Sequence, residues 1–128
     1  MTTRYIANPD PKGYPVIRDT SGEPAERLLS RTFYSDSGHG WLRIPKADLK
    51  QFSLEQEITK YSYISQNFIY LEEDSDLTTY LLAVCKEGYT VDIIEEYQDG
   101  YSTIRNFNHY ECSTPQPSPV IEREPTSM

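Results

Sequence analysis

The chain has 128 residues, 37% of them hydrophobic, and a formal net charge of −8. This length suits one domain with its own core, and the charge excludes unassisted binding to nucleic acid or to an anionic membrane, since both need clustered Lys and Arg. No apolar run approaches the roughly 18 residues of a membrane helix, and Met1-Thr2-Thr3-Arg4-Tyr5 lacks the apolar segment of a signal peptide.

Taken in chain order, residues 1–25 carry Pro9, Pro11, Pro15 and Pro24 and read as a Pro-rich arm, loop or extended edge, with Tyr14, Val16 and Ile17 as a short edge strand. A single domain is expected over 26–110. Arg31 to Tyr34 and Trp41 to Ile44 read as a hairpin around Ser35-Asp36-Ser37-Gly38-His39-Gly40. Pro45 opens a short helix over Lys46 to Phe52, and Ser53 with Gln56 fits a capping box for a further turn. Tyr61 to Ile64 and Phe68 to Leu71 form a second hairpin across Ser65-Gln66-Asn67.

The main helix is expected at about 76–87. Leu77, Tyr80, Leu81, Val84 and Cys85 make one helical stripe, whose full burial contributes on the order of 8–12 kcal/mol of gross transfer free energy. Ser75 or Asp76 is its expected cap and Gly88 its left-handed stop. Thr90 to Tyr97 and Tyr101 to Phe107 are expected as a third hairpin across Gln98-Asp99-Gly100. Residues 111–128 carry four further prolines and read as a disordered tail. The fold class is therefore α+β: an antiparallel sheet of four to six strands with one main helix on a face. Cys85 and Cys112 are expected as reduced thiols of a cytoplasmic protein.

Two places can carry chemistry. His39 lies between two glycines on permissive backbone, with Asp36 nearby to orient it; the competing reading is a tight turn. Glu72, Glu73, Asp74 and Asp76 offer oxygen ligands to a divalent cation, against which stands plain interaction with a helix N-terminus. No nucleotide, zinc or EF-hand pattern is present, and no cofactor is expected. A third feature is wider. Glu72, Glu73, Asp74, Asp76, Glu87, Asp92, Glu95, Glu96 and Asp99 face only Lys86 in the same stretch, so this segment carries the net charge of the whole chain. Charge so concentrated suggests an acidic surface for a basic partner.

Gly38-His39-Gly40-Trp41-Leu42 running into Ile44-Pro45, Tyr61-Ser62-Tyr63 with Tyr70-Leu71-Glu72-Glu73-Asp74-Ser75-Asp76, and Ile104-Arg105-Asn106-Phe107 together resemble a small uncharacterised domain of phage, plasmid and other mobile-element accessory proteins. The resemblance covers residues 32–110. In that domain a Cys commonly stands where Ser75 stands here, which weakens any thiol chemistry at this position. The resemblance implies a mobile-element origin and supplies no reaction.

The leading expectation is thus a non-enzymatic acidic binding protein, a counter-defence factor or nucleic-acid mimic acting on a host protein with a basic, nucleic-acid-binding surface. His39, Trp41, Glu72, Glu73, Asp74, Asp76, Asp92, Glu95, Glu96 and Asp99 are its expected partner-binding residues. One alternative is a small metal-dependent hydrolase or nuclease using His39 and the Glu72–Asp76 cluster; another is a virion or assembly component.

Overall fold

A computed structural model describes residues 2–19 and 27–111. The proposed tail beyond Glu111, with Cys112, lies outside the described residues. In chain order the elements are β1 (Thr2–Pro9), β2 (Pro15–Asp19), β3 (Leu28–Ser35), β4 (Gly40–Pro45), α1 (Lys46–Gln51), β5 (Tyr63–Ile64), β6 (Phe68–Glu72), α2 (Asp76–Lys86), β7 (Thr90–Tyr97), a 3₁₀ turn (Thr103–Asn106) and β8 (Asn108–His109). The α+β class holds, but the strands form one eight-stranded sheet in the order β2-β1-β7-β3-β4-β6-β5-β8, more than the expected four to six. All neighbouring pairs are antiparallel except β3 with β7, which run parallel.

The extra strands come largely from the N-terminal segment. β2 is the edge strand expected there, but β1 lies inside the sheet between β2 and β7. Its prolines do not prevent this because they cluster at the hairpin end. Pro9 and Pro15 form the last pair of the β1–β2 ladder, where a missing N–H costs no internal bond. The turn beyond them is built by Asp10, whose carboxylate accepts from the Lys12 and Tyr14 amides at 2.8 Å each, and by Gly13 at φ 92°.

Alternation along the strands divides the sheet into two faces. One presents Ala7, Val91, Ile93, Leu42, Ile44, Ile69 and Leu71, all buried, and α2 lies across it. Tyr80, Leu81, Val84 and Cys85 of the stripe are buried; Leu77 is half-buried against the same core. Ala7 is small enough for α2 to come close, with the Cys85 Sγ 3.8 Å from the Ala7 carbonyl oxygen. Gly88 ends the helix at φ 89°, the left-handed conformation expected of it. Leu49 of α1 with Phe52, Leu54 and Ile58 extends this core. The stretch after α1 forms turns, as expected there, with Ser53 in the left-handed region at φ 57°.

A polar clasp closes the helix-covered face. The buried Tyr80 hydroxyl donates to Asp48 Oδ2 at 2.6 Å, and Arg31 donates to the same oxygen at 2.7 Å. Burial, with Asp48 beside it, raises the Tyr80 phenol above its ordinary value.

The other face differs from expectation. Residues 101–107 do not pair with β7, because β1 and β3 already occupy both of its edges. Gly100 turns the chain at φ 80°. The Ser102 hydroxyl then caps the 3₁₀ turn by accepting from the Ile104 amide at 3.1 Å. Ile104 and Phe107 settle on Trp41, Tyr70, Tyr34, Tyr63 and Phe68, forming a second, aromatic core. β8 follows and pairs with β5 at the far edge.

Candidate functional site

Strand register brings the two sequence candidates together. In the β4–β6 pairing Trp41 stands opposite Glu72, so the Gly-His-Gly turn before β4 and the acidic run after β6 meet at one end of the sheet. Tyr63 pairs with Tyr70 on one side and with His109 on the other. Together these four strand ends enclose a cavity of about 480 Å³, lined by His39, Gly40 and Trp41, by Tyr61 and Tyr63, by Glu72 to Ser75, and by Arg105 and His109.

Asp36 builds the turn. Its Oδ1 accepts from the Gly38 and His39 amides at 2.8 and 2.9 Å, and its own amide donates to the His39 carbonyl at 2.8 Å. Its side chain is fully buried and also accepts from Arg105, Nε to Oδ2 and the guanidinium NH₂ to Oδ1 at 2.9 Å each, and from the Ser102 amide at 2.8 Å. Arg105 and these amides hold the Asp36 carboxyl well below the usual carboxylate range, against the opposing effect of burial, and Asp36 in turn raises Arg105. The pair is therefore fully ionised and sums to zero charge. The guanidinium also lies over Trp41, 5.3 Å from the ring centroid, and over Tyr101 at 4.5 Å.

At Gly40 a Cβ would come 2.2 Å from Phe33 Cζ, so any larger residue there requires the Phe33 ring to move. His39 is exposed, its ring 6.2 Å from that of Trp41. His109 stacks on Tyr63 at 4.7 Å, and its Nδ1 lies 2.7 Å from the Lys60 carbonyl oxygen. A carbonyl only accepts, so Nδ1 carries the proton of that bond.

The acidic run separates into different roles. Glu72, not Ser75 or Asp76, caps α2: Oε1 accepts from the Ser75 and Asp76 amides at 2.7 and 2.8 Å, and Oε2 from the Asp74 amide at 2.8 Å. The Ser75 side chain makes no capping bond. Asp76 is buried, and its Oδ2 accepts from the Thr59 amide, the Thr59 hydroxyl and the Ser62 hydroxyl at 3.0, 2.8 and 2.6 Å. Asp92 is buried on the sheet and paired with Arg4. Glu95 is half-buried and accepts from the Ser35 hydroxyl at 2.9 Å. The nine acids thus do not form one surface. Glu73, Asp74, Glu87, Glu96 and Asp99 are exposed, and Glu87 sits at the opposite end of α2.

The remaining four share the cavity end. The 98–100 loop is fastened beside the Gly-His-Gly turn by bonds from the Gln98 amide to the Ser35 carbonyl (3.0 Å), the Ser37 amide to the Gly100 carbonyl (3.1 Å) and the Gly100 amide to the Ser37 hydroxyl (3.1 Å). Of the expected partner-binding residues, His39, Trp41, Glu72, Glu73 and Asp74 therefore line one cavity. Glu96 follows the same strand end and Asp99 its loop, while Asp76, Asp92 and Glu95 face the protein's own donors.

Sequence reasoning did not place Tyr61, Tyr63, Arg105 or His109 in the site. The available signal was Arg105 itself, the one Lys or Arg between Lys86 and Glu111. Among the described residues no group of three or more His, Cys, Asp or Glu is arranged to hold a metal ion. Cys85 is buried, and burial pushes its thiol up to about 11, which leaves it unreactive at neutral pH. The described helices include none long and apolar enough to cross a membrane. Comparison with protein-family models, curated proteins and solved structures gave no match.

Proposed function

We propose that this chain is a non-enzymatic binding protein, a phage or mobile-element accessory factor of the host cytoplasm, whose acidic sheet end docks on a basic, nucleic-acid-binding surface of a host protein. The observation that carries this reading is that exposed Glu73 and Asp74 line the aromatic cavity while exposed Glu96 and Asp99 lie at the same end of the sheet, in register with it through Tyr34 and Trp41. Carboxylates so placed imitate the spaced anions that such a surface attracts. Binding to host nucleic-acid-binding proteins, measured over a salt series, is expected to weaken steadily as ionic strength rises. Charge reversal by Glu96→Lys with Asp99→Lys is expected to weaken it by about tenfold or more. Affinity that ignores both salt and charge reversal overturns the reading.

A second reading, a metal-dependent hydrolase or nuclease, draws on the shared cavity of His39 and the Glu72–Asp74 carboxylates. The three amides held by Glu72 weigh against it, since each takes up a lone pair that a cation needs. Nuclease activity that requires Mg²⁺ or Mn²⁺ and disappears in His39→Ala would establish it.

A further inference from the structure

We propose that the cavity between Trp41, Tyr61, Tyr63 and the Glu73–Asp74 rim receives the side chain of one arginine or lysine from the partner protein. This rests on the reading of the sheet end as a protein-binding surface and names what its centre recognises.

The wall chemistry selects a cation. Aromatic rings present a negative face to any cation placed over them; of the rings that border the cavity, Trp41 is buried beneath Arg105 and Tyr63 stacks on His109, which leaves Tyr61 as the open face. Tyr61 is 67% exposed, a large ring left in water beside the opening. The formal charges agree. Glu72, Glu73 and Asp74 line the cavity, and Arg105, the one Lys or Arg among the lining residues, is cancelled by Asp36. An anion or a phosphate-bearing ligand would meet carboxylates without a free cation to hold it.

The volume, about 480 Å³, lies within the range of small-ligand sites and admits a long basic side chain with the peptide atoms around it. The protein already contains the arrangement once, in the Arg105 guanidinium over Trp41 and Tyr101. Planar guanidinium stacks on such rings and pairs with carboxylates at the same time.

The test uses the full chain and N-acetylarginine amide, N-acetyllysine amide and N-acetylcitrulline amide as probes. Citrulline keeps the shape of arginine and removes the charge. Trp41 is the one Trp in the chain, so its fluorescence reports the cavity directly. Arginine amide is expected to perturb that fluorescence saturably, and citrulline amide to bind at least about tenfold more weakly. Tyr61→Ala, and separately Glu73→Gln with Asp74→Asn, are each expected to weaken the arginine probe by about three- to tenfold. These side chains are exposed, so the fold is retained, which far-UV circular dichroism checks.

Equal binding of citrulline, or cavity variants that bind like the wild type, overturns the proposal. An oligoarginine peptide separates this failure from failure of the broader reading. If Glu96→Gln with Asp99→Asn loses that peptide while the cavity variants keep it, the acidic end binds basic partners and the cavity plays no part. If the wild-type chain ignores oligoarginine even at low salt, the binding reading and this proposal fall together.

Discussion

On one face of the sheet, α2 lays Tyr80, Leu81, Val84 and Cys85 on aliphatic side chains; on the other, residues 101–107 lie over aromatic rings and are fastened by the partly exposed Arg105 to the buried Asp36. The helix side is held by area, which is spread over many contacts and tolerates local adjustment. The aromatic side is held by geometry centred on one carboxylate, which serves three backbone amides and a guanidinium. The cavity is built on the second side. The candidate site thus rests on the face whose closure depends on the fewest groups.

The strongest way to break the contrast is to damage the helix side. Leu71→Ala removes a fully buried side chain and is expected to cost about 3–5 kcal/mol. Far-UV circular dichroism and Trp41 fluorescence should then report a common, lowered midpoint in urea, because nothing remains folded once that core opens. Asp36→Ala should act differently. It leaves the Ser102, Gly38 and His39 amides without their acceptor, a loss of about 3 kcal/mol. Trp41 fluorescence should change at lower urea than the helix signal, as 101–107 lifts before the sheet melts. Coincident transitions at the wild-type midpoint would show that the clamp is not what closes this face.

Tyr80→Phe sharpens the comparison with a smaller effect. It deletes the hydroxyl that donates to Asp48 and leaves the ring packing intact, for about 1–2 kcal/mol. Both probes should shift together, unlike in Asp36→Ala.

The two clasps also titrate in opposite directions. Asp36 is held below its ordinary 3.8 when folded, so its contribution is present above that pH and is lost as pH falls below it. Tyr80 is raised above its ordinary 10.0, so its contribution is present below pH 10 and is lost as pH rises beyond it. Cys85, raised from 9.0 to about 11, adds to the alkaline loss over that interval. Urea midpoints measured against pH should therefore fall first by Trp41 fluorescence in acid and by both probes together in alkali. Asp36→Asn should flatten the acid limb alone.

What the sequence made legible was local. The stripe on α2, Pro45 before α1, Gly88 after α2 and the two hairpins β3–β4 and β5–β6 each follow from residues a few positions apart. Partner choice over long separations was not legible. Asp99-Gly100 does turn the chain, but which edges β7 has free depends on β1 and β3, and no feature near residue 100 records that. The site divides the same way. His39 and the acidic run were visible separately. Their meeting depends on the Trp41–Glu72 register, and the clamp depends on Asp36 and Arg105, 69 positions apart. Glu72 as cap was missed because a capping carboxylate reaching forward to the amides at 74, 75 and 76 looks, in one dimension, like any member of an acidic cluster.

The central position of β7 has a consequence for how the chain comes to be folded at all. β7 joins β1 on one edge and β3 on the other, and Arg4 and Asp92 are 88 positions apart. Pairings of such separation form slowly, because loop closure precedes any gain from the contact. During synthesis β1 and β2 leave the ribosome before β7, and a lone two-stranded hairpin is marginal in water. Until Thr90 to Tyr97 has been made, β1 and β3 each present an open edge to whatever else is nearby. A nascent chain that pauses between α2 and β7 keeps both edges open for longer, which raises its exposure to aggregation before the sheet closes.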